Sequence, residues 1–209
     1  VMNRDEPDPR QRSEFSILTV CSGNLCRSPL AEQLLRARLA DVPGVVVASA
    51  GTVARDGDAM TPQAQALSRR FGGDPSAHAA RYLVEPHVAQ AGLVLAMARE
   101  HRAQAVTLHP RASRRTFSLR EFARLTHGLT ADDLARIDAL PGPAARLAAL
   151  VDAVAAKRGF VEMPEDPADD DIVDPYRRSD ATYERSAQQL VPAVERAAAV
   201  LRRAAVGAA

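Results

Sequence analysis

Cysteine is nearly absent from this chain, with two residues in 209. That excludes a disulfide-built scaffold, and two thiols with no third or fourth ligand nearby make a poor zinc site. Aromatic residues are scarce too, at 4% and without tryptophan. Alanine is abundant instead, which suits thin helices packed closely on a sheet. No apolar run approaches the length of a membrane span, so no membrane insertion is expected. Charge of one sign is also lacking: 27 Lys and Arg stand against 26 Asp and Glu, a net charge of +1. Neither nucleic acid nor an acidic membrane is indicated as a partner. The cysteine usage points to a reducing, cytoplasmic setting.

Residues 1–13 are polar and contain proline, with no apolar core of the signal-peptide kind, and read as a flexible tail. The remainder, 14–209, reads as a single domain with a helical and acidic insertion at about 128–171. Apolar strand patterns fall at 15–20, 45–49, 93–97 and 115–119, separated by helical patterns at 29–35, 61–71, 99–106 and 120–126. Strands alternating with helices predict an α/β fold, three layers α-β-α around a central parallel four-stranded sheet. The insertion predicts a loop with a helical turn over 128–143, a helix over 144–158 and an acidic loop over 164–171. A last helix runs from 179 or 180 to about 205.

Both cysteines fall in one stretch, Cys21-Ser22-Gly23-Asn24-Leu25-Cys26-Arg27-Ser28, between the first strand and a helix opened by Pro29. Strand, tight turn and helix N-terminus form an anion cradle at the carboxyl end of the strand, where such sheets bind ligands. Cys21 at its lip meets the positive helix end and Arg27, a setting that favours a thiolate. Arg27 offers a planar fork for two phosphate oxygens. Gly23 and Asn24 allow the loop to turn its N–H groups inward, and Ser28 can donate to the Cys21 sulfur. The chemistry implied is phosphoryl transfer through cysteine.

The segment Val20 to Glu32 resembles the signature of the low-molecular-weight protein tyrosine phosphatases. Ser49-Ala50-Gly51-Thr52, His78-Ala79-Ala80-Arg81-Tyr82-Leu83, Leu93 to Met97 and Asp174-Pro175-Tyr176 extend the likeness, over about 15–126 and 172–201. With the alanine- and arginine-rich composition it suggests a bacterial, actinobacterial member. The resemblance implies a phosphocysteine mechanism: Cys21 as nucleophile, Arg27 binding phosphate, Asp174 as general acid and base. Ser22, Gly23, Asn24, Leu25, Cys26 and Ser28 would complete the phosphate loop, with Tyr176 walling the substrate slot. Ser49 and His78 would fix the loop through Asn24. No metal and no cofactor are implied. The partners implied are phosphotyrosyl proteins, a tyrosine kinase among them, and the protein is expected to be a monomer.

Four Asp-Pro pairs compete for the acid: Asp8, Asp74, Asp166 and Asp174. Asp174 is preferred because Ile172 and Val173 anchor it, Tyr176 follows and the last helix begins just after. Asp169, Asp170 and Asp171 read as a solvated charge run. Tyr183 reads as packing or as a surface residue. Cys26 is expected to trap oxidised Cys21 as a reversible disulfide, making the enzyme redox-sensitive. Three alternatives remain: an arginine phosphatase of the same fold, a non-catalytic phosphate-binding module, and an arsenate reductase. Arsenate reductases need further cysteines, which are absent. The arginine phosphatases resembling this family carry threonine where Leu25 stands, and a bulky aliphatic residue there suits a flat ring.

Overall fold

The computed structural model describes residues 14–207, so the expected tail at 1–13 lies outside the described residues. Four strands form one parallel sheet: β1 (Phe15–Cys21), β2 (Val45–Gly51), β3 (Leu93–Ala96) and β4 (Thr116–Ser118), in the order β2-β1-β3-β4. Along β1, Phe15, Ile17 and Cys21 enter one core while Leu18 and Val20 enter another. Both faces of the sheet are therefore covered, which is why its strands carry no polar stripe. From β1 the chain builds β2 on one side and later β3 and β4 on the other. The crevice beyond the carboxyl ends of β1 and β3 is thus a topological switch point, and Cys21 stands at it.

Among the described residues eight α-helices flank the sheet: α1 (Arg27–Arg38), α2 (Pro62–Arg70), α3 (Glu85–Gln90), α4 (Arg99–Leu108), α5 (Leu119–Leu125), α6 (Ala131–Asp138), α7 (Gly142–Ala156) and α8 (Asp180–Val206). Val88 of α3 and Ala105 of α4 cover the Leu18 face. Leu30 of α1, Phe122 of α5, Leu147 of α7 and Leu190 of α8 fill the larger core on the other face. The layering is the three-layer α/β arrangement expected. Among the described residues no helix is long and apolar enough to cross a membrane.

Several local expectations need correction. Helix α3 went unrecognised: it has six residues and buries only Val88, too little for a periodic pattern. The stretch 128–143 is more ordered than a loop with one turn. There Thr130 caps α6 by accepting from the Asp133 N–H, and the Asp133 carboxylate accepts from the Thr130 N–H in return. Helix α7 begins two residues earlier than expected, at Gly142, where Pro143 fits a first turn. Its Leu147, Leu150, Val151 and Val154 join the same core as Phe15 and Ile17. Just beyond it, Arg158 lies 4.1 Å from the centre of the Phe117 ring and donates to the Thr116 carbonyl at 2.8 Å. The segment 128–171 thus helps build the central core.

Candidate active site

The loop from Cys21 to Ser28 is pinned by Asn24, whose buried side chain sits at a left-handed φ of 55°. Asparagine tolerates that conformation better than most residues. Its amide donates to Ser28 Oγ at 2.9 Å and Ser49 Oγ at 2.8 Å, while its Oδ1 accepts the Arg81 N–H at 2.9 Å. His78 Nε2 lies 2.9 Å from the Asn24 carbonyl, an acceptor only, so that nitrogen carries the proton. Burial pushes the His78 ring below its usual pKa. Ser49 in turn donates to Glu32 at 2.5 Å. The following strand end is strapped to the loop, with Thr52 N–H donating to the Cys21 carbonyl and Val53 N–H to that of Ser22, each at 2.9 Å.

The Cys21 sulfur is surrounded by donors. Asn24 N–H points to it at 3.3 Å and Ser28 Oγ lies 2.9 Å away. Ser28 accepts from the Asn24 amide and has one proton to give, for which the Cys21 sulfur at 2.9 Å is the nearer acceptor and the Ala50 carbonyl at 3.4 Å the farther. Cys26 is turned elsewhere, 3.4 Å from Thr61 Oγ1 and 3.5 Å from the Tyr183 hydroxyl, and burial pushes its thiol pKa up. Tyr183 is therefore a buried, hydrogen-bonded residue behind the loop, and the surface reading of it is wrong.

Arg27 opens α1 and is buried, with 4% of its surface exposed. It donates to the Ile172 carbonyl at 2.9 Å and to Ser22 Oγ at 3.3 Å, and pairs with Asp174 at 2.9 Å. Its Nε is buried with no partner. The N-terminus of α1 has neither a side-chain cap nor an acidic residue in its first turn, so its N–H groups are left for something else.

Of the Asp-Pro candidates, Asp174 alone among the described residues lines the cavity that holds Cys21 and Arg27; Asp8 lies outside the described residues. Asp74 holds a turn through Ser76 N–H at 3.0 Å, and Asp166 caps a short 3-10 helix through Ala168 N–H at 2.8 Å. The segment carrying Asp174 is anchored by the Ile172 N–H donating to the carbonyl of Met97, the residue after β3, at 2.9 Å. Of the adjoining acids, Asp169 is exposed as expected, but Asp170 and Asp171 are not simply solvated. Asp171 takes the Arg99 N–H at 2.7 Å and its guanidinium at 3.0 Å, and Asp170 pairs with Arg124 at 2.7 Å. Arginines far away in the sequence neutralise them.

Together these groups border a cavity of about 220 Å³, with Cys21, Ser22, Gly23, Cys26 and Arg27 at its base. Leu25, Val53, Arg55, Asp58, Asp174 and Tyr176 form its walls and mouth. Among the described residues, none of 128–171 lines it. His101 is a site residue that sequence reasoning missed: it is buried on α4, with Nε2 2.8 Å from Ser22 Oγ. Nothing in Met97-Ala98-Arg99-Glu100-His101 marks it in advance.

The cradle and its thiol are matched by sequence. A model of the family described as "Low molecular weight phosphotyrosine protein phosphatase" covers residues 16–134. The chain belongs to that family. The match runs from β1 into α6, somewhat beyond the 126 expected from motifs, and does not extend to the likeness expected over 172–201. The protein-arginine-phosphatase of Geobacillus stearothermophilus is 38% identical over 118 residues, 56% of this chain and 78% of the relative. A probable low molecular weight protein-tyrosine-phosphatase, EpsP of Ralstonia solanacearum, is 40% identical over 106 residues, 51% of this chain and 71% of the relative. The solved YwlE arginine phosphatase from Geobacillus stearothermophilus superposes with a TM-score of 0.62 at 27% identity, covering 90% of this chain and 93% of that one.

In this phosphatase the loop depends on one glycine. A Cβ at Gly51 would come within 2.4 Å of the Ser22 carbonyl oxygen and 2.7 Å of the Asn24 nitrogen. Both are backbone atoms, so the loop itself would have to move. Gly51→Ala is expected to lower stability by about 1–3 kcal/mol and to raise KM for p-nitrophenyl phosphate. Thermal unfolding and steady-state kinetics check this; a variant unchanged in both would show that the loop has room to shift.

Proposed function

We propose that the chain is a protein-tyrosine phosphatase acting through a phosphocysteine on Cys21. One observation carries this reading: the Cys21 sulfur shares a cavity with Arg27, whose buried Nε has no partner. A tetrahedral anion would satisfy that donor, the uncapped α1 terminus and the N–H groups of residues 22–27 together. Phosphate binding draws Arg27 from Asp174, and the released carboxylate takes up a proton from solvent and faces the leaving oxygen as a carboxylic acid. Cys21 Sγ then bonds to phosphorus as the bond to the tyrosyl oxygen breaks, and Asp174 gives that oxygen its proton. Water next attacks phosphorus, Asp174 takes a proton from it, and the sulfur leaves as thiolate beside the Ser28 hydroxyl. Ser49, His78 and Asn24 keep the loop in shape throughout. If peroxide oxidises Cys21 to a sulfenic acid, Cys26 would have to turn from Thr61 and Tyr183 to condense with it as a disulfide, releasing water.

The slot favours a ring. Leu25, Val53 and Tyr176 give it apolar walls, and Arg177 stacks on Tyr176 at 5.1 Å. The expected substrates are cytoplasmic phosphotyrosyl proteins, a tyrosine kinase among them, met by a monomeric enzyme. One feature favours a second reading, phosphoarginine: the carboxylate of Asp58 borders the same cavity and would suit a guanidinium. Turnover of one peptide carrying either phosphotyrosine or phosphoarginine separates the two. The phosphotyrosyl form is expected to have the higher kcat/KM by about 10-fold or more; faster phosphoarginine turnover would overturn the substrate assignment.

A further inference from the structure

We propose that His101 positions the Ser22 hydroxyl as a hydrogen-bond donor to the bound phosphate group, making Ser22 a side-chain ligand of the substrate. The inference rests on the reading that a phosphate ester occupies this cradle, and it concerns two side chains that reading leaves unused.

Proton accounting leads to it. His101 is 1% exposed, and its Nε2 lies 2.8 Å from Ser22 Oγ and 3.5 Å from Glu100 Oε1. Burial, with the Arg27 charge next, pushes the ring pKa down to about 4, so the imidazole is neutral and has one N–H. Two observations place that proton on Nε2. A carboxylate accepts only, and a bare Nε2 facing Glu100 would set lone pair against lone pair. Nδ1 is buried with no partner, and an orphaned N–H there is the rarer arrangement than an orphaned acceptor. His101 therefore donates to Ser22.

Ser22 Oγ also accepts from Arg27 Nη2 at 3.3 Å, so both of its lone pairs are engaged. Its own proton must go to another acceptor. Ser22 lines the cavity beside Cys21 and Arg27, where a phosphate oxygen would be that acceptor. In the opposite tautomer the Ser22 hydroxyl would donate its hydrogen bond to His101 Nε2 and have none to give the substrate. His101 is thus a positioning residue, one bond removed from the ligand.

The test compares wild type, Ser22→Ala, His101→Leu, His101→Gln and the double variant Ser22→Ala/His101→Leu. The readouts are competitive inhibition by inorganic phosphate, and kcat and KM on p-nitrophenyl phosphate. Ser22→Ala and His101→Leu should each weaken phosphate inhibition about 10-fold, as for a lost hydrogen bond to a charged group. KM should rise in step and kcat change less. The double variant should be no worse than Ser22→Ala alone, and His101→Gln, whose amide can still donate, should recover most of the loss. Multiplying losses in the double variant, or a glutamine no better than leucine, would overturn the proposal. Should His101→Leu fail to fold, Ser22→Ala decides, because unchanged phosphate inhibition there is fatal. A wild type that neither hydrolyses p-nitrophenyl phosphate nor binds phosphate sinks the phosphatase reading first, and this inference with it.

Discussion

Cys21→Ser is expected to cut turnover of p-nitrophenyl phosphate by about 10⁴-fold or more, while leaving binding of inorganic phosphate, measured by calorimetry, within a few-fold of wild type. Both halves follow from the surroundings of the sulfur. A thiolate needs only donors around it, and Asn24 N–H and Ser28 Oγ supply them. A serine hydroxyl would need a base to take its proton, and those same donors offer none. Arg27 and the loop N–H groups are untouched, so the anion site survives. Rapid-mixing kinetics should show a burst of nitrophenol in wild type and none in the variant. Retention of even about 1% of wild-type activity would point to another nucleophile. Cys26 is a poor candidate for that role, since burial pushes its thiol pKa up and its sulfur faces Thr61 and Tyr183. A wild type that binds phosphate without any burst would instead identify a recognition module.

The centre of this site was legible because its chemistry is contiguous. Cys21, Arg27 and Ser28 occupy one strand-turn-helix unit, and each residue type there has a local reason for its place. The supports from elsewhere were legible only in part. Ser49 and His78 were expected through motif likeness, and the structure sets both against Asn24. Arg81 stood in the same motif as His78 with no role assigned, and its N–H completes the Asn24 cage, while His101 was not foreseen at all. A histidine on a surface-period helix looks the same whether it faces water or a loop from another segment. The acidic run shows the converse error. Asp170 and Asp171 look solvated in sequence, yet Arg124 and Arg99 reach them across 46 and 72 residues. Local composition carries no trace of such pairings. Helix α6 is different in kind, because its capping pair, Thr130 and Asp133, is local and visible in the sequence.

Asp174→Asn should lower kcat on a phosphotyrosyl peptide by about 10²–10⁴-fold, and much less on p-nitrophenyl phosphate. The contrast is the informative part. A tyrosyl oxygen is a poor leaving group unless it is protonated as the bond to phosphorus breaks, whereas p-nitrophenolate departs with little help. Asparagine keeps the size and an acceptor for the Tyr176 N–H, which Asp174 now takes at 3.2 Å, so the turn at Pro175 should persist. It also removes the charge that holds Arg27 in the free enzyme, a pair at 2.9 Å with the Asp174 side chain 48% exposed. Release of Arg27 should leave phosphate binding equal or stronger, so a fall in kcat without a rise in KM is expected. An equal loss on both substrates would assign Asp174 to binding and remove it from proton transfer. Asp166→Asn serves as the control: its carboxylate caps Ala168 N–H on a short helix outside the cavity, and its loss should leave kcat within a few-fold. If Asp166→Asn proved the more damaging of the two on the peptide, the acid would belong to the other loop.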